Sequence, residues 1–387
     1  MAINARRFFS TRTTHSKLLE SSLPEILSLI VPQDEDRVKR LNVITEFTSL
    51  VQSTKRLKGL SVKPFGSFVS NLYTKSGDLD LSIQLAHDPN VYIEKSTKLF
   101  LLLDVMHALK KTGDSVLLNV LPLARVPLLI YRSITHNIKC DVTVNNHMAI
   151  IKTNLIHRIS VMDWRFRDLV LLIKEWANAH DINNAKERTL NSLSIYLLVI
   201  FHFQTCKPAI LPPLRDIYEG DVVSDILEEK FTLKHIEDTF AANIATFTTE
   251  NKSSLCELYI SFFEKFSNIR SMTDQHVIST YTGKLENIVH KETWLETSPN
   301  NDNFIIEDPF KKPVNAACAV SSTQIVKISN AFIETHKQLT SSAVQSNNES
   351  LFVALVRPNT FSLFIKRGKL LHKCVKRPVH DIPEVFC

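Results

Sequence analysis

The sequence predicts an α+β protein in which a mixed-sheet domain precedes a helical one. Two observations predict it: alternating and continuous apolar runs between residues 60 and 150, and helical spacing from Asp163 to about Phe266. Seven glycines stand where average usage would place about 27. Two of them, Gly66 and Gly77, fall within one short stretch, and a chain this poor in glycine keeps it where backbone geometry demands it.

Taken in order, residues 1–22 carry Arg6, Arg7, Arg12 and Lys17, many Ser and Thr, and no acid before Glu20. They read as a basic arm or a transit peptide, so a mitochondrial location stands as the alternative to a cytoplasmic or nuclear one. Residues 23–55 predict two helices, split by Pro32 and expected to pack on the helical domain. Residues 56–154 hold the strands: Ser61 to Phe65, Leu79 to Leu85, the apolar run Val126 to Tyr131, and Lys139 to Asn145, with a helix from Leu99 to Leu109 among them. Residues 155–340 are helical, ending in an amphipathic helix from Ile325 to Leu339, and residues 341–387 read as a polar, then basic tail.

At 44 % apolar and 22 % charged, 387 residues exclude a disordered or collagen-like chain. The longest apolar stretches, Leu169 to Ile173 and Ile195 to Phe203, fall well short of the roughly 18 residues a spanning helix needs, so no membrane partner is expected. The net charge of +6 favours a polyanionic partner. Six cysteines without CxxC spacing indicate neither a zinc ribbon nor a disulfide scaffold.

The chemistry is concentrated in Phe65-Gly66-Ser67 and Ser76-Gly77-Asp78-Leu79-Asp80-Leu81. On a strand, Asp78 and Asp80 point the same way while Leu79, Leu81 and Ile83 enter the core. Two adjacent carboxylates repel unless a cation lies between them, and Mg²⁺ favours carboxylates together with substrate phosphates. A third carboxylate is needed for two-metal phosphoryl transfer. Asp141, opposite in face to Ile138, Cys140, Val142 and Val144, meets that need if a neighbouring antiparallel strand brings it beside the pair. Gly66 lets a backbone approach phosphates closely, and the Ser67 hydroxyl with N–H groups of a following helix can donate to them.

On these residues the sequence resembles the DNA polymerase β-type nucleotidyltransferase superfamily, and within it the noncanonical poly(A) polymerases and terminal uridylyltransferases. The resemblance extends to Phe166-Arg167-Asp168-Leu169 through Ala177, Thr189-Leu190-Asn191-Ser192, Lys207 to Leu214 and Ile306-Glu307-Asp308-Pro309-Phe310, which look like the family's helical poly(A)-polymerase-associated domain. It covers roughly residues 23 to 340 and is nearest to plant enzymes that uridylate small RNAs lacking a 3′ methyl group.

The resemblance implies a template-independent enzyme, a monomer, that adds uridines from UTP to an RNA 3′ end. ATP is the alternative nucleotide, and a weakly active RNA-binding subunit the alternative role. Asp78, Asp80 and Asp141 would hold two Mg²⁺ or Mn²⁺ ions; Gly66, Ser67, Lys174 and Ser192 would face the triphosphate, Thr153 the ribose, and Asp308 would lie in the loop closing over the base. An Argonaute-type or decay-complex partner is a further implication. Three positions depart from the family pattern. Asn178 stands where many members carry a second lysine, Leu193 where a tyrosine stacks on the base, and Val314 where several uridine-selective relatives carry a histidine. Tyr196, on the same helical face as Leu193, is expected to supply part of the missing stacking.

Overall fold

The computed structural model describes residues 19–85, 90–288, 304–340 and 348–375; the basic arm at residues 1–18 lies outside them. Five strands form one sheet: β1 (Ser61–Phe65), β2 (Leu79–Gln84), β3 (Ser115–Leu121), β4 (Leu128–Ser133) and β5 (Ile138–Val144), in the order β1-β2-β5-β4-β3. The β2–β5 ladder is parallel and the other three are antiparallel, which makes the sheet mixed.

Period-two side-chain alternation explains the layering. Leu79, Leu81, Ile83, Cys140, Val142 and Val144 are buried on one face, against Val43, Phe47 and Val51 of α2 (Asp34–Ser53) and Leu102, Val105 and Leu109 of α3 (Lys95–Thr112). The opposite face is left to Asp80, Lys139 and Asp141. Helix α2 therefore does not pack on the helical domain as expected of residues 23–55. Its Val43–Phe47–Val51 stripe, at spacing of four, matches the sheet face, whereas α1 (residues 19–30) does send Leu23, Ile26 and Ile30 into the helical core.

Strand β3 was not legible in the sequence. It is a partly exposed edge strand, and its ladder to β4 shifts register between Val116 and Asn119, where Leu117 adopts φ +58°, so no clean alternation marks it.

The helical body begins with α4 (His147–Ser160), which crosses residues 154 and 155 without a break and buries Ile151, Leu155, Ile156 and Ile159. It continues through α5 (Trp164–Ala179) and α6 (Ser192–Gln204), whose N-caps Asp163 and Asn191 accept from Arg165 N and Ser194 N. The helices Leu233–Thr246, Leu255–Phe266 and Ser322–Thr340 complete the core around Trp176, Phe263 and Phe332. No described helix is long and apolar enough to cross a membrane.

The segment read as a basic tail is structured over residues 348–375. Helices Asn348–Leu355 and Pro358–Val375 dock on α5, burying Phe352, Leu355 and Val356 in the helical core. Their apolar positions lie between a polar run and a basic one, so no long periodic stripe marks these helices in the sequence.

Candidate active site

The β2–β5 ladder decides where the aspartates meet. Its register places Asp80 directly opposite Asp141, and Asp78 immediately precedes β2. The pairing is parallel, not antiparallel: α3, β3 and β4 intervene in sequence, and that connection returns the chain to the β2 edge in the same direction.

Lys139, two residues before Asp141 and so on the same strand face, sends its ammonium to the Asp78 carboxylate and to within 3.6 Å of Asp141 Oδ1. Burial works against this charge, but the hydrogen bond to Asp78 and the charges of Asp141 and Asp78 hold Lys139 above the usual lysine range. Burial, reinforced by Asp141 and Asp78, pushes Asp80 up to about 7, and burial also raises Asp141. These are the signs of a carboxylate cluster short of positive charge.

Gly66 shapes the floor. Its φ is +70°, and a Cβ there would lie 2.9 Å from Asp80 Cγ and collide with the carboxylate oxygen. Thr153 Oγ1 accepts the Gly66 N–H at 2.9 Å and donates to Ala149 O at 2.7 Å, so Thr153 fixes the glycine turn from α4. The residues after Gly66 form a turn and not the expected helix; Ser70 N donates to Gly66 O and Leu72 N to Ser67 O, closing the backbone on itself. Ser67 is partly exposed in that turn.

Asp78, Lys139 and Asp141 line a cleft of about 720 Å³ whose other wall comes from the helical body, with Asn178, Lys186, Ser192 and Lys327. A depression of similar volume, about 750 Å³, is lined by Arg215, Phe231, His235 and Tyr281, with none of the three aspartates. The carboxylates make the first the candidate site. Among the described residues no carboxylate, imidazole or thiol groups form a ready cluster of three for a metal. The donor set nonetheless fits a hard divalent cation: all oxygen, with the buried Asp141 Oδ1 lacking a hydrogen-bond partner and a lysine ammonium where positive charge is required.

Comparison with known proteins agrees with this geometry. Residues 19–160 match the central palm domain of poly(A) RNA polymerase, mitochondrial-like. Over 335 residues the chain is 43 % identical to Protein HESO1 of Arabidopsis thaliana, across 85 % of this chain and 65 % of that protein. The chain belongs to the noncanonical poly(A) polymerase and terminal uridylyltransferase family. This family member is also 28 % identical over 288 residues to poly(A) RNA polymerase gld-2 homolog A of Drosophila melanogaster, across 71 % of this chain and 20 % of that one. It thus spans about two thirds or less of these curated relatives. The nucleotidyltransferase fold is shared with a cytoplasmic RNA terminal U-transferase, at TM-score 0.69 and 22 % identity, over 88 % of this chain and 98 % of that structure.

The remaining family positions divide. Ser192 and Asn178 line the cleft, and Leu193 is half-buried against the helical core. Lys174 is buried; its ammonium donates to Leu72 O at 2.9 Å and to Tyr196 Oη at 3.3 Å, close enough to Asp80 to oppose that group's raised pKa. Tyr196 does not take the stacking role expected of it. Its ring lies in the helical core, 7 % exposed, with the hydroxyl committed to Lys174.

Asp308 is buried and paired with Lys152 of α4, while its Oδ1 accepts from Phe310 N at 3.1 Å and its N–H donates to Val314 O at 2.8 Å. The loop is thereby tied to α4 and is not among the residues lining the acidic cleft. Two lysines that hold carboxylates of this set, Lys139 on Asp78 and Lys152 on Asp308, are not among the residues the sequence points to. Lys139 was readable from the same two-residue spacing that placed the aspartates, whereas Lys152 carries no local signal.

Proposed function

We propose that this chain is a template-independent RNA 3′-terminal nucleotidyltransferase that adds uridines from UTP to the 3′-hydroxyl of small or fragment RNA. The observation that carries this reading is the Asp80–Asp141 register with Asp78 at its end: Asp78 and Asp141 line the cleft between sheet and helical body, and the buried Asp80 lies beside Asp141. Asp78, Asp80 and Asp141 would hold the divalent ions. When bound, Mg²⁺ or Mn²⁺ supplies charge neutralisation at the transferring phosphoryl group and lowers the pKa of the attacking hydroxyl.

The chain's own residues do the positioning. The Gly66–Ser67 turn, held by Thr153, offers backbone N–H and a hydroxyl to the triphosphate, and Ser192 offers a second hydroxyl from the opposite wall. Lys174 fixes the turn at Leu72 and sets positive potential beneath Asp80. Lys186 and Lys327 give the cleft positive charge suited to RNA phosphates. A fold shared with an RNA terminal U-transferase and identity to a poly(A) RNA polymerase support the reaction class. The choice of UTP rests on the family resemblance.

The test is incubation of the purified chain with a labelled RNA of about 21 nucleotides, Mg²⁺ or Mn²⁺, and each nucleoside triphosphate separately, beside the Asp78→Ala/Asp80→Ala double variant. A ladder with UTP that vanishes in the variant is expected. A ladder confined to ATP would move the chain to the poly(A) branch, and no ladder from folded, RNA-binding protein would overturn the enzymatic reading.

A further inference from the structure

Helix α5 carries a fully buried carboxylate, Glu175, directly after Lys174. A charge so placed is tolerated only when its oxygens are saturated with donors. Among the described residues every donor comes from the carboxy-terminal segment: Arg357 N at 3.1 Å, Arg357 Nε at 2.9 Å, Arg357 Nη2 at 2.6 Å and Thr360 Oγ1 at 2.6 Å. His180 Nε2 donates to Ala354 O at 2.8 Å, and Arg367 Nη1 to Ser28 Oγ of α1 at 2.7 Å, so the same segment is pinned on both sides.

Those contacts suffice to dock the segment, yet Arg357 makes one more. Its Nη2 donates to Ser76 Oγ at 3.1 Å, in the exposed turn two residues before Asp78. The same turn is held from its other side by Arg40 of α2, a buried guanidinium whose Nη2 donates to Gly77 O at 2.7 Å and Lys75 O at 3.1 Å. The backbone leading into Asp78 is thus gripped by two arginines, one near each end of the chain.

We propose that Arg357, anchored by Glu175, is a positioning residue that fixes the Ser76–Gly77–Asp78 turn so that Asp78 is presented toward Asp141, making the carboxy-terminal helices part of the frame that holds the catalytic cation. The proposal rests on the reading of Asp78 as a metal-holding carboxylate. A guanidinium locked in two directions by a buried acid is a rigid support, and rigid outer support is what sets the affinity of such sites.

The test is Mn²⁺ binding, followed by the loss of the free-ion paramagnetic resonance signal, together with thermal unfolding and steady-state kinetics, for wild type, Ser76→Ala, Arg357→Gln and the double variant. Ser76→Ala leaves the Glu175 anchor intact, so its melting temperature is expected to hold while Mn²⁺ affinity falls about tenfold, with kcat and not the RNA KM following it. The double variant is expected to bind Mn²⁺ no more weakly than Arg357→Gln alone, because both substitutions remove one contact. Unchanged Mn²⁺ affinity in Ser76→Ala, or losses that multiply in the double variant, would overturn the proposal and leave the enzymatic reading standing. Failure of the wild-type chain to bind Mn²⁺ would overturn the reading of the site and the positioning role with it.

Discussion

Lys139 bridges Asp78 and Asp141, its ammonium bonded to the first carboxylate and 3.6 Å from an oxygen of the second. A lysine so placed stands in for a cation and competes with one. Replacing it with Met should therefore weaken the metal-free fold and tighten metal binding. The partners are partly exposed, 28 % for Lys139 and 40 % for Asp78, so the pair stabilises by no more than about 1 kcal/mol. Mn²⁺ affinity is expected to rise roughly fivefold, and the melting temperature in EDTA to drop by a few degrees. Calorimetric titration and thermal unfolding of Lys139→Met check both.

Asp80 gives the metal-free protein a pH dependence of definite sign. Its folded carboxyl ionises near 7, against about 4 in an unfolded chain. Folding is thus undisturbed by this group below about pH 4 and loses stability as pH rises through 7, by up to about 4 kcal/mol at pH 8. In EDTA the chain should melt higher at pH 6 than at pH 8, and saturating Mg²⁺ should narrow the gap by favouring the ionised form. Asp80→Asn should abolish tailing while raising the melting temperature in EDTA at pH 8. Equal melting temperatures for wild type at the two pH values, with Asp80→Asn no more stable, would sink this account.

Gly66 cannot carry a side chain. A Cβ at φ +70° incurs about 1–2 kcal/mol of backbone strain before it meets the Asp80 carboxylate. Gly66→Ala should displace either the turn or Asp80, and a misplacement on the order of 1 Å at a reacting centre costs about a hundredfold in rate. The expected result is a kcat lowered about that much in a protein that still melts cooperatively, measured beside Ser67→Ala, whose loss should be smaller because the backbone is untouched.

The sequence made the aspartates legible because strands repeat every two residues, so Asp80 and Asp141 had to oppose Leu79, Leu81, Cys140 and Val142. It could not give the direction of the β2–β5 pairing, which depends on a connection through β3, an edge strand whose register shift hides its alternation. Helix α6 is buried on all sides, so periodicity could not say whether Tyr196 faces the cleft or the core. Glu175 and Arg357 meet across 182 positions, and no local pattern links a buried acid on one helix to a basic residue between two others. Charge partners separated this widely are set by packing, which is why residues 341–387 read only as a polar, then basic tail.

Asn178 is the departure from the family pattern that the structure makes testable. It lies one helical turn after Lys174, lines the cleft beside Ser192, and accepts a hydrogen bond from Asn183 Nδ2 at 3.1 Å. Lys174 itself is engaged with Leu72 O and Tyr196 Oη, so the cleft wall at this turn carries an amide where an ammonium would meet phosphate. Asn178→Lys should lower the KM for UTP by about threefold to tenfold, a gain of about 0.7–1.4 kcal/mol from one charge-assisted contact. The gain should shrink with added salt, because a partly open cleft is screened. Steady-state kinetics at two ionic strengths read both effects; an unchanged KM at low salt would show that position 178 does not reach the triphosphate, and that the lack of a second lysine one turn after Lys174 is no deficit.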